Sequence, residues 1–153
     1  MTQRGATTFL AMEYYLLMWN RSFEISVTSS SVCGAFVQGA IAVNPPYVVP
    51  AGAAQDPTRL VDSKRLAEAR AEEPGTQAYL DLHRFNFAIS RAVLAKFRLD
   101  SRRKWGMGPL PHSGRLHLDV RGGKSRELIL LGDQDGAALL GRIRAHGYPV
   151  APA

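Results

Sequence analysis

Three polar side chains in the last third of the sequence have the types and spacing for metal binding or acid–base chemistry. His117 and Asp119 alternate along a predicted strand and therefore project from one face, and His112 is close in sequence. A zinc site needs three or four protein ligands, and these residues do not make a secure set. Because exposed polar residues on a sheet face explain the pattern better, the sequence predicts neither a metal site nor a cofactor.

Other motifs that are typical of enzymes are incomplete. Gly106-Met107-Gly108 lacks the strand-to-helix setting and the lysine of a phosphate-binding loop, and Ser29–Ser31 lack the setting of a nucleophile elbow. Asp81 and His83 lie two residues apart, and nothing else in the sequence marks them as catalytic. The single cysteine, Cys33, has apolar neighbours that predict a buried, inert thiol in a reducing cytoplasm. The sequence therefore predicts a protein that is not an enzyme and has no small-molecule substrate.

Charge is concentrated in one block of the chain. Residues 84–126 contain eleven of the nineteen Lys and Arg residues but only two of the thirteen acids, Asp100 and Asp119. The formal net charge of the whole chain is +6. A negatively charged surface is therefore the leading candidate for a partner.

The strongest candidate surface is the stretch from Arg98 to His112. Cations, an aromatic residue and a Gly/Pro-containing apolar loop follow one another there, so that Trp105, Met107 and Leu110 could supply apolar contact. An alternative is a solvated loop with Trp105 folded into the core. The basic residues of the following hairpin are expected to extend this surface along the hairpin's outer face. The predicted partner- or anion-binding residues are therefore Arg98, Arg102, Arg103, Lys104, Trp105, Arg115, Arg121, Lys124 and Arg126.

Three strands are predicted in the first 42 residues. Glu13 interrupts the first apolar run and no small-residue cleavage site follows, so the run indicates a strand and not a signal peptide. The apolar residues Tyr14–Trp19 lead to a predicted turn at Asn20–Ser22, and alternating residues follow up to Thr28. After three serines, Val32–Ala42 is the third strand, with a bend or bulge at its two glycines.

Residues 44–84 form a predicted insertion, a proline-rich connection followed by a short surface helix. The prolines remove backbone donors and favour an extended path. Asp62 or Ser63 caps a helix that runs through Glu73. Since Leu66 is its one sizeable apolar residue, this helix is expected to be solvated.

The last third predicts further strands and a closing helix. Phe85–Asp100 fits both a helical and a strand period, and we interpret it as a strand. Arg115–Arg121 alternates most regularly, with Leu116, Leu118 and Val120 inward. Gly122-Gly123 is predicted to be a two-residue hairpin turn, and Arg126–Leu131 is the partner strand. Asp133 or Asp135 is expected to cap the helix, and Leu139, Leu140 and Ile143 form its apolar face. Gly147 ends the helix, and Tyr148 is placed to pack back on the domain.

The order of these elements resembles the pleckstrin-homology-like superfold, including its bacterial and GRAM-type members. The matching stretches are Tyr15–Phe23, Val93–Phe97 and Gly114–His146. The resemblance implies an α+β, mainly β fold, in which a C-terminal helix caps an antiparallel bent sheet or partly open barrel. Residues 1–153 would form one such domain. Lipid-binding members gather several basic residues in the first hairpin loop, where this chain has only Arg21.

These observations favour a binding role. The first hypothesis is a non-catalytic accessory subunit, cytoplasmic or at the inner face of a membrane, that docks its basic face and extended termini (1–11 and 148–153) onto a larger bacterial protein complex, soluble or membrane-embedded. The alternative is a peripheral domain that binds anionic lipid, where four cations contribute about 4 kcal/mol and only about millimolar affinity. Nucleic acid ranks third because no helix carries a basic stripe.

Overall fold

Seven antiparallel strands and three short α-helices build the fold in this computed structural model, which describes residues 5–16, 19–43 and 47–151. The predicted class, α+β and mainly β with a C-terminal helix, is confirmed. The strands are β1 Thr7–Leu16, β2 Trp19–Val27, β3 Ser31–Gln38, β4 Phe87–Ser90, β5 Leu94–Asp100, β6 His112–Val120 and β7 Arg126–Leu131. The helices are α1 Ser63–Ala71, α2 Gln77–Asp81 and α3 Gly136–Ala145, with 3-10 turns at Pro57–Leu60 and Arg91–Val93.

The sheet is curled so that its two edge strands approach each other. Its strand order is β4-β3-β2-β1-β7-β6-β5, which puts β4 and β5 at opposite edges. Only the turn Arg91–Val93 joins these two strands, and three residues span at most about 10 Å. Backbone hydrogen bonds from Arg91 N–H to Ser30 and from Arg121 N–H to Val93 tie this corner to the sheet on both sides.

Two apolar clusters lie on the two faces of the curled sheet. The inner cluster joins residues from both halves of the sheet, such as Ile25 and Leu116, to Ile143 of α3. The outer cluster contains Met12 and Ile129 of the central strands β1 and β7. It is covered by the connection after β3, by α1 and α2, and by the loop between β5 and β6. The chain therefore buries both faces of its central strands.

Helix α3 and the residues after it close one end of the inner cluster. Asp135 caps the helix by accepting a hydrogen bond from Ala138 N–H at 2.9 Å, and the predicted apolar residues Leu139, Leu140 and Ile143 are buried. Tyr148 packs edge-on against Phe97 and donates from its hydroxyl to Thr28 O at 2.7 Å. This helix and the packing of Tyr148 were both predicted correctly.

The C-terminal segment lies on the domain's own edge strand. Phe97 N–H donates to Pro149 O, and Ala151 N–H donates to Phe97 O, so residues 149–151 run beside β5. The expectation that the segment extends away over a partner is therefore wrong for residues 148–151, and residues 7–11 are part of the central strand β1. Residues 1–4 and 152–153 of those predicted arms lie outside the described residues.

The predicted turn at Asn20–Ser22 is wrong, because these residues belong to β2. Asn20 is buried, and its side-chain amide exchanges two hydrogen bonds of 2.7 Å with the backbone of Ile41. The third strand ends at Gln38, not at Ala42, and its register shift falls near Val37 and not at a glycine. The polar residue Asn20 suggested a turn, but its side chain bonds to the segment after β3.

The interpretation of Phe85–Asp100 as one strand is also wrong. The segment turns at the corner of the sheet, so it forms β4, the 3-10 turn and β5. Val93 is 40% exposed and Leu94 is buried, because the register shifts at the start of β5. Val120 of β6, which was expected to be inward, is only partly buried.

The insertion packs on the sheet instead of standing in solvent. Asp62 caps α1 as predicted, but Leu66 and Ala69 are buried, so the expectation of a solvated helix is wrong. Ala53 and Leu60 of the connection are also buried. Residues 44–46, with two of the prolines, lie outside the described part, and α2 was not predicted.

Candidate functional site

The predicted basic residues divide into two groups by charge pairing. Four of the eight cations already have a carboxylate partner, and the other four form no ion pair with a carboxylate in the described part of the chain. The pairs are Arg102 and Arg115 with Asp100, Lys104 and Arg115 with Glu127, and Arg126 with Glu13. The unpaired cations are Arg98, Arg103, Arg121 and Lys124.

The predicted set also divides between the two faces of the sheet. Arg115 lies on the outer face, since its neighbour Leu116 faces the inner cluster. Arg126 is paired in register with Leu118, an inner residue, and its guanidinium carbon lies 3.7 Å from the ring centre of Phe87. The expectation that Arg126 extends a basic surface along the outer face is therefore wrong. The nine residues do not form one continuous patch.

Trp105 is the most exposed large apolar residue in the described part of the chain. It lies in the loop between β5 and β6, residues Ser101–Pro111, here called the tryptophan loop. Its side chain is 93% exposed, which decides between the two interpretations left open by the sequence. Gly106, with a φ of 88°, turns the chain directly after it.

The rest of the tryptophan loop is held firmly to the domain. Met107 and Leu110 are buried in the outer cluster, so the prediction that they contact a partner is wrong. Lys104 N–H donates to His112 Nε2 at 3.1 Å, and the Lys104 ammonium pairs with Glu127. An anchored base therefore presents an exposed indole.

The histidines that suggested metal or acid–base chemistry have separate structural partners. The His112 ring also bonds to Leu110 O at 3.1 Å, and burial lowers its pKa, so it is a neutral part of the loop's base. His117 lies opposite Arg98, and burial followed by that guanidinium lowers its pKa, while Asp119 pairs with Lys96. In the described residues no three His, Cys, Asp or Glu side chains are grouped as a metal would require.

A cavity of about 330 Å³ lies between the outer face of β1–β3 and the segment from α1 to α2. Its polar lining includes Glu24, which is buried and held by two nitrogens of Arg70 at 2.8 and 3.0 Å. Tyr79 also lines it, and its hydroxyl has no hydrogen-bond partner among the residues that the structure describes. Burial raises the pKa of Tyr79, so this phenol cannot serve as a base at neutral pH. The cavity offers polar contacts, and the predicted site does not include it.

A cluster of arginines and aromatic rings was missed by sequence reasoning. Its basic residues come from β2, α1 and the segment before β4, so no local pattern joins them. The one available signal was that Arg84 begins the basic block. The arginine cluster, as it is called below, consists of Arg21, Arg65, His83 and Arg84 with the rings of Phe36 and Phe85.

No protein-family model, curated protein or solved structure matches the chain significantly. Among the described helices, none has the length and apolar content to span a bilayer.

Proposed function

We propose that this domain is a non-catalytic binding subunit that docks on an acidic surface of a larger protein assembly. The observation that carries the proposal is Trp105, held almost fully exposed on an anchored loop. Burying an indole removes roughly 200 Å² from water, which stabilises a complex by about 5 kcal/mol. Because the loop is already ordered by Met107, Leu110 and His112, little entropy is lost when it binds.

Charge pairing favours a protein partner over an anionic membrane. Of the three successive cations before Trp105, Arg102 and Lys104 are already paired with carboxylates, and Arg103 alone is not. Membrane attraction sums over free cations, at roughly 1 kcal/mol each, so it is weakened here. In a protein interface a few residues supply most of the binding energy, and Trp and Arg are among the commonest of them.

We also propose that the domain is related to the pleckstrin-homology-like superfold. The strand order, the helix after the last strand and the short corner between β4 and β5 support this relation. Such barrels bind lipids, peptides and proteins alike, so the relation supports a binding role without naming its target.

Affinity purification of the full chain at moderate salt tests the docking proposal. We expect the unmodified protein to recover a stoichiometric partner, and Trp105→Ala and Arg103→Glu to lose it. Arg144→Glu is the matched control, since it makes the same charge change on an exposed residue of α3. This control should recover the partner normally.

Two results would contradict the proposal. The first is a protein that purifies alone, or one whose partner is retained by Trp105→Ala. The second is co-sedimentation with anionic vesicles that falls with salt and is lost in Arg103→Glu, which would favour the lipid alternative.

A further inference from the structure

Three guanidinium groups converge on two neighbouring aromatic rings in the arginine cluster. The guanidinium carbon of Arg21 lies 3.4 Å from the ring centre of Phe85, and that of Arg84 lies 4.8 Å from the same centre. The guanidinium carbon of Arg65 lies 5.2 Å from the ring centre of Phe36. The centres of the two rings are 5.7 Å apart, so the three guanidiniums border one pair of neighbouring rings.

His83 lies within this group of charges. Its ring stacks on Phe36 with a centroid distance of 4.0 Å and an interplanar angle of 13°. Burial lowers the pKa of His83, and the charges of Arg65, Arg84 and Arg21 lower it further. Three guanidinium charges therefore act on the one His83 ring, which indicates a concentrated positive field.

No acid in the described part of the chain forms an ion pair with these three arginines; Glu13, which lies opposite Arg21 in the β1–β2 register, pairs with Arg126 instead. None of the three arginines lies within 4 Å of a carboxylate there. Glu68 lines the cleft beside Arg65 and His83 without forming an ion pair with Arg65. The positive charges repel one another, and a bound anion would remove that repulsion.

We propose that the arginine cluster binds a phosphate-bearing ligand. A guanidinium that stacks on a ring keeps its N–H edge free, and that edge matches two phosphate oxygens. Three guanidiniums suit a group that carries more than one negative charge, as a phosphate ester does at neutral pH. This site is separate from Trp105 and does not depend on the proposed docking function.

The His83 ring provides a test in the unmodified protein. We expect pyrophosphate to raise the pKa of His83 toward or above its ordinary value of 6.5, because the anion offsets the three cations. The measurement is a pH titration of the histidine ring signals by NMR at several pyrophosphate concentrations. His117, on the outer face of β6, is the internal reference and should shift little.

Substitutions of exposed arginines test which residues form the site. Arg65→Gln and Arg84→Gln should each weaken pyrophosphate binding about tenfold, since each loses a charged hydrogen-bond donor. Arg144→Gln on α3 removes the same charge elsewhere and should bind normally. Circular dichroism checks that each variant is folded.

Vesicles distinguish a free phosphate compound from a lipid headgroup. A His83 response to pyrophosphate supports a soluble ligand, and a response only to phosphatidylcholine vesicles that contain phosphatidate supports a headgroup. The proposal is overturned if neither probe moves the His83 pKa, or if the cluster variants bind as Arg144→Gln does. Trp105→Ala should leave the His83 response unchanged, which separates this test from that of the docking proposal.

Discussion

The Arg115 guanidinium donates a hydrogen bond of 2.7 Å to Asp100 Oδ2, which joins β6 to the last residue of β5, directly before the tryptophan loop. Arg102 donates to both oxygens of the same carboxylate from within the loop. These bonds, those from Arg102 first, lower the pKa of Asp100. Asp100 is therefore the residue that organises the start of this loop.

Asp100→Asn should lower stability at neutral pH and change how stability depends on pH. Because the pKa of Asp100 is lowered by folding, its stabilisation is present above the unfolded value near 4 and is lost as the pH falls through the folded value. We expect the deficit of the variant at pH 7 to shrink below about pH 4. Thermal unfolding between pH 2 and 7 measures this, with exposed Asp133→Asn as control. A deficit that stays constant would contradict the assignment.

Asn20→Ala should destabilise the domain by roughly 2–4 kcal/mol. The change leaves both the N–H and the C=O of Ile41 without their side-chain partner in a buried place, and each unpaired group costs about 1–3 kcal/mol. Urea unfolding measures the loss. Gln77→Ala, which removes an exposed hydrogen bond to Asp81, should change stability by less than about 0.5 kcal/mol. Equal losses in the two variants would count against the role of Asn20.

Gly34→Ala should destabilise by about 1–3 kcal/mol, although its backbone is ordinary strand. A Cβ at this position would clash with Cε1 of Phe87, so the ring would have to move. Phe87 itself packs edge-on against Phe23 in the core. In a Phe87→Ala background the extra loss from Gly34→Ala should disappear. A double-mutant cycle by urea unfolding measures this coupling, and simple additivity would exclude the clash.

Arg84→Gln should raise the pKa of His83 without added ligand. Burial still lowers the pKa, so the new value should move toward 6.5 and remain below it. The sign for stability follows, because protonation of His83 favours the unfolded chain below pH 6.5, so stability rises with pH in that range. An NMR titration measures the shift. If the substitution leaves the His83 pKa unchanged, the charge of Arg84 does not act on His83.

Elements with local signals were predictable from the sequence, and those set by distant contacts were not. The strands β6 and β7 have a regular period and α3 has a capping Asp135, and these signals act locally. The predicted two-residue turn at Gly122-Gly123 is wrong, because five residues, 121–125, separate β6 from β7. The turn at Arg91–Val93 had no such signal, since it depends on the two sheet edges meeting. Asn20 misled for the same reason, because its partner Ile41 lies in another segment.

The candidate site shows the same limit. The exposed Trp105 and the cations before it were identified from composition, but their pairing with Asp100 and Glu127 depends on strand register. Arg126 was placed on the wrong face, because the register of β7 with β6 was not known. The arginine cluster could not be predicted from the sequence, because its residues come together only in the folded chain.

The position of β1 has a consequence for how the chain is synthesised. One side of β1 pairs with β2, its immediate successor, but the other pairs through Ala11 and Met12 with Leu130 and Ile129 of β7. On the ribosome that second side stays without its strand until residues 126–131 have emerged. Until then the nascent chain carries an open strand edge, which is prone to pair with other chains.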